Sequence, residues 1–102
     1  MRTSFKGKLA EDLFYDKNSR ETRKFPAELR RVARRKLLYI YEAENLKDLR
    51  VPPGNRLEAL KGNFVGFHSI RINQQWRVIF KWSTSGASDV EVVDYHWNKG
   101  II

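Results

Sequence analysis

Asp94, Tyr95 and His96 stand in a row near the end of the chain. A carboxylate, a phenol and an imidazole can accept, donate and relay protons, and an imidazole with an ordinary pKa near 6.5 suits transfer at neutral pH. A second group is cationic: Arg71, Arg77 and Lys81 in neighbouring strand-like runs, with Lys61 at a turn close by. Two or three such cations suit a phosphate, because arginine offers a planar fork and keeps its charge when partly buried. Glu58 in "RLEALKG" is a further candidate acid or base. Each has a plainer reading. The cations can be a solvated sheet face, Glu58 an ion pair with Arg56 or another cation, and His96 a surface residue.

Other chemistries lack their parts. The chain has no cysteine and only two histidines, so thiol nucleophiles, disulfides and thiolate metal sites are excluded. Two isolated histidines make a poor metal site, and no glycine-rich phosphate loop is present. No metal or cofactor is therefore expected. What remains is acid/base chemistry on a phosphodiester, for which the 2′-hydroxyl of RNA would be a built-in nucleophile. It needs a base near that hydroxyl, cations on the non-bridging oxygens and an acid for the departing 5′ oxygen.

Charge points the same way. Lys and Arg number 20 against 12 Asp and Glu, a formal net charge of +8 over 102 residues. Such a balance favours a polyanionic partner through counterion release. The length is that of one domain spanning residues 1–102, able to bury a modest core. No apolar run approaches the roughly 20 residues of a membrane span, and the N-terminus lacks a signal-peptide core. A cytoplasmic protein is the simplest expectation.

The elements that must position these residues follow from periodicity. "MRTSFKGK" alternates weakly, as an edge strand can, and "KLAEDLFYDK" spaces Leu9, Leu13 and Phe14 for a short helix. "NSRETRKFP" reads as a loop. Pro26 suits a first helical turn, and Leu29, Val32, Ala33, Leu37, Ile40 and Tyr41 then form one apolar stripe, predicting a helix of roughly 18 residues. Arg30, Arg31, Arg34 and Arg35 fall largely off that stripe as a solvated face, or as an electrostatic footing on RNA. Pro52, Pro53 and Gly54 rule out regular structure over "NLKDLRVPPGNR".

The second half changes period. "RLEAL", "FHSIRIN", "QWRVIFKW" and "DVEVVDY" read as strands separated by turns. The predicted fold is an α+β domain, two N-terminal helices on one face of an antiparallel sheet of about four strands. Alternation puts Ile70 and Ile72, and likewise Trp76, Val78, Phe80 and Trp82, on the core side. Arg71 and Arg77 then project together from the open face, with Ile79 and Lys81. His68 is expected to be a structural ring.

"NRLEALKGN", "HSIRINQQWR" and "VEVVDYH" together, in this order and spacing, resemble the HigB toxins of the RelE/ParE superfamily, strongly over residues 46–96 and more loosely before. The resemblance implies a RelE-like fold and a toxin encoded beside a HigA-like helix-turn-helix antitoxin, with operator DNA contacted only through that antitoxin. It also implies a toxin that enters the ribosomal A site, on the small subunit, where it cleaves translated mRNA. By position it assigns Arg77 to the scissile phosphate and His96 to proton transfer. Asp94 and Tyr95 would position the substrate or assist, and Lys61 would be a weaker contributor. Two departures stand out: Glu58 occupies a position where some relatives carry histidine, and the chain runs on through "WNKGII". The ParE branch shares the fold but inhibits DNA gyrase without catalysis, and an inactive RNA-binding module is a third reading.

Overall fold

The computed structural model describes residues 3–94; Tyr95, His96 and the "WNKGII" extension lie outside the described residues. Within them, helices α1 (Lys8–Phe14), α2 (Arg20–Lys24) and α3 (Arg30–Glu42) precede strands β1 (Glu58–Ala59), β2 (Phe67–Arg71), β3 (Trp76–Ser83) and β4 (Gly86–Asp94). The strands form one antiparallel meander in the order β1-β2-β3-β4. The α+β architecture is the predicted one, with corrections to individual elements.

The expected loop at "NSRETRKFP" contains α2. Ser19 Oγ accepts from the Thr22 amide at 3.2 Å, and Thr22 Oγ1 accepts from the Ser19 amide at 2.8 Å. This reciprocal cap satisfies two donors that a short helix would otherwise leave bare. The long predicted helix divides into a 3₁₀ turn (Ala27–Leu29) and α3. Its buried stripe is Ala33, Lys36, Leu37 and Ile40, so it includes a lysine and leaves out Tyr41, which is 45% exposed and rests on the Phe14 ring. The "NLKDLRVPPGNR" segment carries 3₁₀ turns at Leu46–Arg50 and Pro53–Asn55. A 3₁₀ turn is short enough to fit between prolines that exclude longer helix.

Alternation holds in the sheet. Ile70, Val78, Phe80, Val90 and Val92 are buried against Leu13, Phe25, Leu37 and Ile40. Full burial of each large side chain contributes about 1.5–3 kcal/mol, enough to fix which face meets the helices. The outer edge of β4 is met by the N-terminal segment: Lys6 N–H donates to Val90 O at 2.8 Å and Val90 N–H to Ser4 O at 2.9 Å. The edge strand expected at the N-terminus is thus a single parallel bridge, Phe5 to Val90. "RLEAL" contributes only the two residues of β1 to the ladder.

Candidate phosphate-binding site on the sheet

In the ladder, Arg71 lies directly across from Arg77, and Arg77 across from Val93. Directly paired residues share a face, so both arginines lie on the side away from the helices, as alternation predicted. Their exposure is a correction. Arg77 does not project from an open face; it is 6% exposed. Its Nε donates to Ser69 Oγ at 2.8 Å, and its Nη2 donates to Arg56 O at 2.6 Å. Nη2 also lies 3.7 Å from Glu58 Oε1. A buried guanidinium must find such partners, because desolvating an uncompensated charge is very costly. Arg71 is half-buried.

Local sequence builds this cradle. Ser69 is the residue of "SIRIN" that shares the face of Arg71 and pairs across to Glu58, so strand register delivers both to the Arg77 guanidinium. The Arg56 carbonyl arrives differently. Arg56 has φ 47 and ψ 56, a left-handed conformation that ends the Pro53–Asn55 turn. Asn55, fully buried, holds that turn by donating from Nδ2 to Leu49 O (3.1 Å) and Val51 O (3.3 Å). Its Oδ1 accepts from Lys36 Nζ, and burial lowers the lysine's pKa.

The other predicted residues are spread over the surface around this centre. Glu58 is the partly exposed carboxylate of the Arg77 ion pair, at 47%, in line with its plainer reading. Lys61 is exposed and leads into the Gly62–Phe64 turn. Lys81 is exposed on the same sheet face as Arg77, 3.5 Å from Asp89 Oδ2 and over the ring of Phe67. Asp94 requires a correction. It pairs with Trp76, so its side chain belongs to the helix-facing side and not beside Arg77. Gln75 Nε2 donates to its Oδ2 at 3.0 Å, which ties the end of β4 to the β2–β3 turn. Tyr95 and His96 lie outside the described residues.

His68 faces inward, its ring 6.1 Å from that of Phe80 and 27° from parallel. Burial depresses its pKa and its Nδ1 is buried without a hydrogen-bond partner, which suits a packing role. Ser69, Asn55, Lys36 and the Arg56 carbonyl were not singled out in the sequence. Ser69 was within reach of strand alternation; the carbonyl, a backbone group, carries no side-chain signal.

The match to the family of RelE-like HigB toxins of type II toxin–antitoxin systems covers residues 3–96. The chain belongs to this family. Toxin HigB-1 of Vibrio cholerae serotype O1 is 44% identical over 82 residues, covering 80% of this chain and 84% of that protein. An uncharacterised protein of Haemophilus influenzae is 37% identical over 75 residues, 74% of each. Two solved structures share the fold: a YafQ mutant from E. coli, at 14% identity and TM-score 0.59 over 94% of both chains, and the YoeB/ParE toxin from Agrobacterium tumefaciens, at 19% identity and TM-score 0.50 over 92% of this chain and 94% of that one. The HigB-like chain is thus a toxin of the RelE superfamily, and its family implies an antitoxin partner. Among the described residues no helix is long and apolar enough to cross a membrane.

Proposed function

We propose that this HigB-like toxin is a ribosome-dependent endoribonuclease that cuts translated mRNA in the A site, arresting translation and growth. The observation that carries the reading is the arginine pair. Like charges directly opposite in a sheet repel, yet Arg71 and Arg77 face one another across β2 and β3. A bound phosphate resolves that repulsion. The Glu58 carboxylate, at 3.7 Å and half-exposed, is a weak partner that a phosphate oxygen can displace.

In the proposed reaction the RNA 2′-oxygen attacks the adjacent phosphorus, and the P–O5′ bond breaks. A base takes the 2′-hydroxyl proton and an acid delivers one to the departing 5′ oxygen, leaving a 2′,3′-cyclic phosphate and a free 5′-hydroxyl. Arg77, held rigid by Ser69 and the Arg56 carbonyl, stabilises the charge that grows on the non-bridging oxygens. Arg71, Lys81 and Lys61 bind flanking phosphates. His96 takes the proton-transfer role with Tyr95 assisting, and Glu58 is a carboxylate 3.7 Å from the arginine. Asp94 anchors the strand that leads to them. The natural inhibitor is a HigA-like helix-turn-helix antitoxin, through which alone the complex meets operator DNA.

Inducing the chain should arrest growth and place primer-extension stops inside translated messages. Removing one charge-stabilising donor should cost on the order of 10²–10³ in rate, so Arg77→Ala combined with His96→Ala should abolish the stops. Persisting stops would dismantle the assigned site. DNA damage with intact messages would favour gyrase inhibition, and ribosome binding without cleavage an inactive RNA-binding module.

A further inference from the structure

We propose that Phe67, with Phe64 at its edge, is a stacking platform for a nucleobase of the RNA strand held by the arginines. The proposal rests on the nuclease reading and adds a base-binding subsite to its phosphate-binding face.

The register places it. Phe67 pairs with Lys81, Ser69 with Ile79 and Arg71 with Arg77, so Phe67, Ser69 and Arg71 occupy successive positions on one face of β2. Arg77 leans on Ser69, and Phe67 is the next residue of that face along the strand, roughly 7 Å further on. A neighbouring nucleotide of the strand bound at Arg77 can reach it.

Phe67 is not needed by the helix-side core. Neither it nor Phe64 belongs to that core, and both are half-buried, with part of each ring open to solvent. Their rings meet edge to face, with centroids 5.7 Å apart at 87°, which fixes the orientation of Phe67. Lys81 Nζ lies 5.4 Å from the Phe67 centroid, on a side chain 53% exposed. The ring thus meets a largely exposed cation, which Asp89 also holds at 3.5 Å, at the rim of the sheet face. On a bound strand the same ammonium can move to the adjoining phosphate while a base takes its place over the ring. An aromatic face beside a backbone-tracking cation is how proteins hold single-stranded nucleic acid. Every base has a π-face, so the platform adds affinity without choosing a codon.

The test uses the full chain on ribosomes programmed with a message carrying 2-aminopurine in the A-site codon, a fluorophore quenched by stacking. The unsubstituted chain and Phe67→Tyr should quench it and cleave the message. Phe67→Leu should lose the quench and raise KM by about five- to a hundredfold, with kcat little changed. A Phe67→Leu variant that equals the unsubstituted chain in quench and KM overturns the platform alone. Quenching without cleavage by the unsubstituted chain refutes only the nuclease reading, and absence of both refutes both. Should Phe67→Leu fail to fold, Phe64→Leu removes only the edge partner; a weakened quench from it supports the platform and an unchanged one overturns it.

Discussion

Ser69 and Arg77 divide one task. The arginine supplies charge, and the buried hydroxyl at 2.8 Å from its Nε sets where that charge points. Ser69→Ala leaves a buried charged donor without its acceptor, which costs about 1–3 kcal/mol. Urea denaturation should show that loss, and cleavage should fall with it at temperatures where the variant remains folded. His68 gives a second prediction at this scale. Burial holds its pKa below the ordinary 6.5, so the unfolded chain binds the extra proton and stability falls as pH drops below about 6.5 toward the folded value. His68→Phe should flatten the urea midpoint across that window. Asp12 acts in a separate, lower one: a Ser19 hydrogen bond and Lys8 hold its carboxyl below 3.8, and its contribution is lost as pH falls through that depressed value. A histidine variant that keeps the full slope between pH 7 and 5 would contradict the assignment.

At the scale of elements, Lys36 and Asn55 connect α3 to the site. The buried amide fixes the turn that ends at Arg56, and the Arg56 carbonyl accepts from Arg77. Asn55→Ala strips the lysine of its acceptor and the turn of its donor. It should lower stability by about 1–3 kcal/mol and reduce cleavage while the helices persist, as circular dichroism and primer extension together would register. Much of this scale was legible in the sequence. The strands of the meander follow from period-two alternation, because residues that reverse face would expose apolar surface. What escaped were features with no periodic signature: the reciprocal Ser19–Thr22 cap, the 3₁₀ turns between prolines, and an inward lysine whose charge argued for the surface. The face of Asp94 was missed for another reason. Adjacent strand positions point opposite ways, so a residue next to the partner of Arg77 in sequence lies across the sheet from it.

For the whole molecule, two basic regions lie on opposite sides. Arg71, Arg77 and Lys81 occupy the sheet face away from the helices, while Arg30, Arg31, Arg34 and Arg35 line an open cleft of about 560 Å³ beside α3. The charge of +8 is therefore distributed, as the proposed action on the ribosome would require of its RNA contacts. Replacing Arg31, Arg34 and Arg35 with glutamine should reduce the salt dependence of ribosome binding, by roughly 0.7–0.9 in log–log slope for each phosphate no longer neutralised. It should leave the chemical step on the bound message unchanged, and an unaltered slope would remove the cleft from the binding surface. Family membership fixed the class of toxin, and composition had already pointed to a polyanionic partner. The central claim, that a buried arginine on the sheet drives cutting of messages under translation, is tested most directly by primer extension on translated and untranslated copies of one message. The chain and its Arg77→Lys variant, which keeps a charge but loses the guanidinium fork, would each be induced after thermal melts confirm that both fold. Stops confined to the translated copy and lost in Arg77→Lys are the predicted result; equal cutting of both copies, or undiminished cutting by the variant, would contradict it.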